Sequence, residues 1–207
     1  MGLRKAAGEP LRGVVEREFA RDMPGLLKAL KSGDSEQRRW AARDLAAHPA
    51  CADTLGAQLA AERDPSVREA LFTSLARHAN AAAVNALLPL LRSEDAGLRN
   101  GAIETLAAMP EEAGPRIAAL LRDADADVRI FTVNLLGELK HEQVLPWLVG
   151  VLEHDAAVNV VAAAIDVLAE VGGAGQLHAL NAAARRFPGE PFVGFAAEVA
   201  AERIRAA

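Results

Sequence analysis

The residues with the clearest chemical pattern are an aspartate and an arginine four positions apart, a pair that returns about every 30 residues. We call them the frame aspartate and the frame arginine. They occur at Asp34/Arg38, Asp64/Arg68, Asp95/Arg99 and Asp125/Arg129. A ring of arginines could bind an anionic ligand, but each arginine has an aspartate nearby to neutralise it. The pattern therefore favours a structural ladder of Asp–Arg pairs that fixes one repeat against the next.

A fifth segment, residues 144–173, fits the same pattern when one or two residues are inserted in its turn. In that register Ala157 stands at the aspartate position and Val161 at the arginine position. The two charged residues are lost together, as the partners of one interaction would be. This joint loss favours the ladder over independent roles for the two residue types.

Other residues that could support catalysis or metal binding do not form a site. His48 and His78 occupy equivalent positions, but neighbouring packed helices lie ~8–10 Å apart, too far to share a zinc ion with Zn–N bonds of ~2 Å. Cys51 has no partner thiol, which disfavours a catalytic nucleophile. The glycine-rich stretch 172–175 lacks the Lys-Ser/Thr of a phosphate-binding loop and is interpreted as a helix end and linker. We predict no catalytic residue, no cofactor and no metal, and therefore no enzyme.

Composition and charge narrow the possible partners. The 207 residues are 51% hydrophobic and only 4% aromatic, with a net charge of −5. Residues 1–43 carry 10 Lys and Arg against 6 Asp and Glu, whereas residues 44–172 carry 9 against 19. A small basic-aromatic cluster, Arg39, Trp40 and Arg43, lies in the first repeat. Because the rest of the chain is acidic and would repel phosphates, no nucleic acid is expected as a partner.

The single cysteine and the absence of an apolar signal segment indicate a reducing environment. No stretch approaches the ~18 consecutive apolar residues of a membrane helix, so no membrane is expected as a partner. The predicted location is therefore cytoplasmic.

Each unit reads as a helix, a short polar turn and a second helix that begins at the frame aspartate, where a carboxylate can cap it. Pro65, Pro110 and Pro115 are placed near helix starts, and Pro89 is predicted to kink an apolar segment. Trp147 is assigned to the core. We divide the chain into an N-terminal arm and capping helix (1–23, with a helix at roughly 10–22), five repeats (24–173) and a degenerate C-terminal capping repeat (174–207) broken by "FPGEP".

The motif D-x-x-V-R-x-x-A-x-x-x-L in the second helix resembles the HEAT-like repeats of the phycobilin-lyase class, over about residues 24–171. The resemblance implies an all-α, right-handed α-solenoid of about five to six HEAT-like helix pairs with capping helices. It also implies that the second helices line the concave face. A HEAT-like hydroxylase binds iron through several His-Glu pairs. This sequence has one, His141–Glu142, so that activity is not expected.

Positions that vary between repeats are the candidates for function. Residues four apart on a helix share a face, so positions one, two, five and nine after the frame arginine should tile one surface. The predicted partner-binding residues are Arg39, Trp40, Arg43, Arg77, Asn100, Glu104, Phe131, Asn134, Glu138 and Asp166. The arginines lie at one end of this surface and the carboxylates at the other. Trp40 and Phe131 flank Ala70 and Gly101, which predicts a shallow trough, unless the two aromatic residues belong to the core.

The predicted function is a non-enzymatic protein–protein interaction scaffold or adaptor that holds an extended segment or a helix of another protein on the concave face. The resemblance offers an alternative: a bilin-lyase-like enzyme subunit acting on a tetrapyrrole or its carrier protein. A third possibility is a structural stabiliser of a larger complex.

Overall fold

The computed structural model describes residues 19–206, which form an all-α solenoid, as predicted. Its twelve α-helices are α1 Met23–Ser32, α2 Ser35–Leu45, α3 Ala52–Ala61, α4 Pro65–His78, α5 Ala81–Leu87, α6 Ala96–Ala107, α7 Pro110–Leu120, α8 Ala126–Glu138, α9 Val144–His154, α10 Val158–Val171, α11 Leu177–Arg186 and α12 Pro191–Ala206. Short 3₁₀ turns cover Pro49–Cys51, Leu88–Arg92 and Ala174–Gln176. No strand occurs within this described range.

The helices form two layers. The even-numbered helices, which we call the second helices, pack side by side in chain order from α2 to α12. The odd-numbered first helices form the other layer, where α3 packs on α5, α5 on α7 and α9 on α11. One leucine position, seven residues after the frame arginine or its equivalent, is fully buried in five successive second helices: Leu45, Leu75, Leu106, Leu136 and Leu168. Each such side chain contributes about 1.5–3 kcal/mol through burial, so this column is the centre of the core.

The frame aspartates begin the second helices, as the sequence predicts. Asp34 accepts from the backbone N–H of Gln37 at 2.8 Å, and the Gln37 side chain returns a bond to the Asp34 N–H, which completes a capping box. Asp64, Asp95 and Asp125 are the N-caps of α4, α6 and α8. These carboxylates satisfy backbone donors that have no partner within the helix. Ala157 occupies the N-cap of α10 without a side-chain cap, so the predicted register of the fifth repeat is confirmed.

The prolines fit the predictions with one exception. Pro65 and Pro110 occupy first helical positions. Pro89 ends α5, since the chain continues as a 3₁₀ turn from Leu88. Pro115 was placed near a helix start, but it lies inside α7, in that helix's sixth position, so this prediction is wrong.

Most of the predicted N-terminal helix, roughly 10–22, falls outside the described residues. Residues 19–22 are not helical, and α1 begins at Met23, where Asp22 caps the Gly25 N–H at 2.9 Å. At the other end, Gly172 ends α10. Residues 187–190 interrupt the helical structure between α11 and α12, as the "FPGEP" stretch predicted. The division into arm, repeats and caps stays a prediction.

Two helical glycines give a matched test of how closely the first helices pack. A Cβ added to Gly56 in α3 would lie 2.4 Å from the Cβ of Ala86 in α5, whereas one added to Gly150 in α9 meets nothing within 4 Å. We expect Gly56→Ala to lower the free energy of unfolding by about 1–3 kcal/mol, because α3 and α5 must separate. Gly150→Ala should raise it by up to about 1 kcal/mol through helix propensity. Urea denaturation followed by circular dichroism measures both. Equal effects would contradict the close approach of α3 and α5.

Candidate functional site

One exposed surface runs along the second helices. It consists of the positions five and nine residues after the frame arginine, which are exposed in every repeat from α2 to α10. We call this surface the second-helix face: Arg43, Thr73, Glu104, Asn134 and Asp166, with Ala47, Arg77, Ala108, Glu138 and Glu170. Because the leucine column is anchored in the core, positions on the opposite side of each helix must face solvent. Asn100, one residue after its frame arginine, is exposed beside them.

Most of the charged side chains on this face form no ion pair among the described residues. Within residues 19–206, Arg43 and Arg77 form no ion pair, and neither do Glu104, Glu138 and Asp166. Arg39 is half-buried and lies 3.8 Å from Glu36, while Glu170 binds Arg203 of α12 at 2.6 Å. The face therefore carries free cations on α2 and α4 and free carboxylates from α6 to α10.

The two aromatic residues predicted to anchor a partner are less exposed than is expected of interface residues. Trp40 and Phe131 are half-buried, and Phe131 packs against the core with the Arg99 guanidinium 4.4 Å from its ring centroid. Each of these two side chains is thus partly buried and partly accessible to a partner.

The trough predicted between these aromatics is not present. Ala70 is buried at 3% exposure, and the ring of Phe72 occupies the space at Gly101, where an added Cβ would lie 2.4 Å from its Cε2. The sequence assigned Gly101 to an open surface, but its missing side chain instead makes room for a core aromatic from the preceding repeat.

The frame arginines connect neighbouring repeats, although with other partners than the predicted ladder assumes. Only Arg68 pairs with a frame aspartate, Asp95 of the next repeat, at 2.8 Å. Arg38 instead makes two hydrogen bonds to Glu62, at 2.7 and 2.9 Å. Arg129 makes two to Asp155, at 2.7 and 3.0 Å.

Arg99 is the exception among the four. It forms no ion pair within residues 19–206, and its Nε has no hydrogen-bond partner there. The link between its repeat and the next is supplied by Arg92, which binds Asp123. The predicted ladder of four equivalent Asp–Arg pairs is therefore not present. Arginines instead link neighbouring repeats through different partners and with unequal strength.

A second contact explains why the arginine position recurs. Each frame arginine also donates to a backbone carbonyl five or six residues earlier, in the turn of its own repeat: Gly33, Glu62, Ser93 and Asp123 for Arg38, Arg68, Arg99 and Arg129. These carbonyls follow the first helix and have no helical partner. One side chain thus closes its own turn and, in three of four repeats, reaches the next.

Glu62 is the most strongly perturbed of these groups. It is 4% exposed and accepts from Arg38, from Gln58 and from the backbone N–H groups of Arg63 and Asp64. The hydrogen bond from Arg38 is the main cause that lowers the pKa of Glu62 from 4.5 to about 2, while burial opposes the shift. Glu62 is therefore a structural anion.

The histidines and the cysteine have structural surroundings. His78 is buried in the last turn of α4, and its Nε2 lies 3.0 Å from the Leu45 carbonyl, which ties α4 to α2. His48 lies beyond the end of α2 rather than in its last turn. His141 stacks on Trp147 at 4.9 Å. The Cys51 thiol lies 3.5 Å from the Met23 sulfur. Among residues 19–206, no three His, Cys, Asp or Glu side chains are grouped closely enough to hold a metal ion.

Trp147, assigned to the core from the sequence, packs against the core but is half-buried, and it also lines a groove of about 640 Å³ between α7 and α9. These two first helices make little direct contact, unlike α9 and α11. Leu121, Val151 and the buried Arg129–Asp155 pair also line the groove. Arg122 at its edge forms no ion pair in the described part of the chain.

The predicted partner-binding residues do not include three exposed apolar residues on α12: Phe192, Phe195 and Val199. The frame motif could not identify them, because α12 has no arginine at the frame position. The buried positions of α12 match those of the other second helices when Gly194 takes the place of the frame arginine. In that register Val199 occupies position five, which belongs to the second-helix face, and Phe195 occupies position one beside it.

No helix within residues 19–206 combines the length and hydrophobicity needed to cross a bilayer.

A comparison with protein families agrees with this architecture. The family model for HEAT repeats matches residues 52–116 and 113–190, together more than half of the chain. Three solved structures share a TM-score of 0.41 with it. Two are engineered proteins of the Northeast Structural Genomics Consortium, 20% and 22% identical, aligned over 90% and 87% of this chain and 99% and 95% of theirs. The third is a designed armadillo repeat protein, 19% identical, over 88% of this chain and all of its own. At this level the likeness carries no functional argument. A comparison with curated protein sequences gives no significant match.

Proposed function

The chain belongs to the HEAT repeat family, and from that premise we propose that it is a non-enzymatic scaffold or adaptor that binds another protein on its second-helix face. Stacked repeats create extended surfaces of this kind, and such surfaces are what repeat proteins use for binding. The partner element is an extended segment or a helix, long enough to cross several repeats.

The observation that carries this proposal is the row of exposed, unpaired charges along the second helices. Arg43 and Arg77 stand on α2 and α4, and Glu104, Glu138 and Asp166 stand on α6, α8 and α10. The frame residues in the same helices are engaged in caps and turns, whereas these side chains have no structural role in the described residues. Unpaired charges of opposite sign at the two ends select the direction of a bound segment.

The partner therefore has acidic residues over the arginine end and basic residues over the carboxylate end. Such charges raise the association rate more than the affinity, and salt screens them. The half-buried edges of Trp40 and Phe131 supply apolar contact beside the charges. Asn100 and Asn134 add hydrogen-bonding groups between them.

Charge reversal at the basic end tests this proposal. We expect Arg43→Glu with Arg77→Glu to weaken binding of the native partner at least tenfold, because both side chains would then repel its acidic segment. The partner is identified by affinity purification and quantitative mass spectrometry, and its Kd is then measured at 50 and 300 mM salt.

The matched control is Arg63→Glu with Arg122→Glu, which makes the same change of charge at exposed positions away from this face. Equal losses in the two double variants would show that net charge, not the face, governs binding. Unchanged binding in the Arg43 and Arg77 variant would overturn the proposal.

The narrower resemblance to the phycobilin-lyase class stays a prediction. Addition of a bilin tests it, since a bound tetrapyrrole would shift its absorbance spectrum.

A further inference from the structure

The large apolar side chains that are exposed in the described residues concentrate at the C-terminal end. Phe192, Phe195 and Val199 are 45%, 69% and 46% exposed, and Val171 at the end of α10 is 36% exposed. The first three are spaced i, i+3 and i+7 on α12, so they form one continuous stripe. We call this stripe the α12 patch. Isolated exposed apolar residues are ordinary, but a contiguous group on one helix marks an interaction site.

The patch is not the unfilled docking surface of a missing seventh repeat. In the earlier second helices, the position four residues after the frame arginine is apolar and packs inward: Ala42, Phe72, Ile103, Val133 and Ile165. The eighth position there is also small and apolar. In α12 these two positions carry Glu198 and Glu202, both exposed.

Val199 of α12 stands instead in a column that is polar in every earlier second helix. The fifth position reads Arg43, Thr73, Glu104, Asn134 and Asp166 before it becomes Val199. Relative to the other repeats, α12 is thus charged where repeats stack and apolar at the fifth position, which belongs to the second-helix face. The α12 patch continues that face.

Carboxylates surround the patch. Glu190, Glu198 and Glu202 are exposed and form no ion pair within residues 19–206, and Asp166 lies unpaired in the same column as Val199, on the adjacent helix α10. The cations on α12 itself are Arg203, which is engaged by Glu170, and Arg205 in the last turn. The patch therefore presents aromatic and aliphatic surface within an acidic rim.

We propose that the α12 patch docks a basic amphipathic helix of a partner protein, with its apolar side chains on Phe192, Phe195 and Val199 and its Lys or Arg residues against the acidic rim. Such a helix buries one apolar stripe and matches charges on either side of it. The inference rests on the proposed function and extends it, because it gives the bound protein an apolar anchor next to the carboxylate end of the second-helix face.

A second copy of this chain fits the patch less well. In a two-fold pairing the same surface of both copies meets across the axis. The acidic rims of the two copies, with Glu198 and Glu202, would then lie close together, where like charges repel.

The test uses a fluorescein-labelled 14-residue helical peptide with Leu at positions i, i+3 and i+7 and Lys on both flanks. Two control peptides replace Lys with Glu, or Leu with Ser. By fluorescence anisotropy, we expect the chain to bind the Lys peptide at least tenfold more tightly than either control. Phe195→Ser with Val199→Ser should weaken binding at least tenfold without a lower Tm, since both side chains are exposed. Glu198→Lys with Glu202→Lys should make the Glu peptide the better ligand.

Equal affinity for the Lys and Glu peptides, or an unchanged Kd in the Phe195 and Val199 variant, would overturn the proposal. Light scattering that shows a dimer which Phe195→Ser and Val199→Ser convert to monomer would assign the patch to a second copy instead. A tenfold gain in peptide affinity on deletion of residues 1–18 would assign it to the chain's own N-terminal segment. Arg43→Glu with Arg77→Glu should leave peptide binding within twofold, so failure here and failure of the proposed function remain distinguishable.

Discussion

Glu62→Gln is expected to lower the free energy of unfolding at pH 7 by about 3 kcal/mol. Glu62 is buried and holds both nitrogens of the Arg38 fork, at 2.7 and 2.9 Å. The lowering of its pKa from 4.5 to about 2 corresponds to about 3 kcal/mol of preference for the charged form in the folded state. A neutral amide of the same shape removes that preference and leaves the Arg38 guanidinium without its anion.

The same substitution should change how stability depends on pH. Because the pKa of Glu62 is lowered on folding, the unfolded chain binds the proton more readily, and stability falls as the pH falls. The contribution is complete above about 4.5 and is lost progressively toward about 2. Urea denaturation between pH 2 and 7 should therefore show a shallower acid decline for Glu62→Gln than for the unmodified chain.

Glu69→Gln is the matched control, because Glu69 is an exposed carboxylate on α4 with no ion pair among the described residues. It should change stability by less than about 0.5 kcal/mol. If the two variants had the same stability and the same acid profile, the Arg38–Glu62 pair would not be a structural link.

Arg129→Met is expected to cost about 3–5 kcal/mol, whereas Arg99→Met, at the equivalent position, should cost about 1 kcal/mol. The Arg129 and Asp155 side chains are only 15% and 7% exposed, so loss of the arginine leaves a buried carboxylate unpaired. Arg99 forms no ion pair in the described residues, so its substitution leaves no carboxylate unpaired. It loses one carbonyl hydrogen bond and its contact with the ring of Phe131.

Thermal and chemical denaturation of the two variants side by side provide the measurement. The control is Arg129→Met with Asp155→Leu, in which removal of both charges should recover part of the loss. Similar costs for Arg129→Met and Arg99→Met would mean that the turn carbonyls, not the carboxylates of the next repeat, determine the value of the frame arginine.

The fold could be predicted from the sequence because the sequence signals that specify it are local. An aspartate at the N-cap and a leucine seven residues after the frame arginine each act within one helix and its immediate neighbour, and both recur. The partners of the arginines were not readable. Arg38 and Arg129 bind Glu62 and Asp155, which lie two residues before the N-cap of the next second helix. These contacts depend on the spacing between successive repeats, which the sequence pattern does not give.

The candidate site was predictable to a different degree. The exposure of Arg43, Glu104 and Asp166 followed from helical spacing. The filling of the trough did not, because Phe72 reaches Gly101 from another repeat. The α12 patch was missed because the last repeat has Gly194 where the frame has arginine, so its register is visible only once the buried residues of α12 are known.

Site-specific photo-crosslinking can establish whether a partner protein lies along the second helices. A benzophenone amino acid is placed singly at Thr73 and Asn134 on the second-helix face, and at Asp53 and Glu111, exposed positions on the first helices α3 and α7. After irradiation in the native host, we expect Thr73 and Asn134 to crosslink to one and the same protein and Asp53 and Glu111 not to crosslink to it. Crosslinks to that protein from Asp53 and Glu111 alone would place the partner on the first helices and rule out binding at the second-helix face.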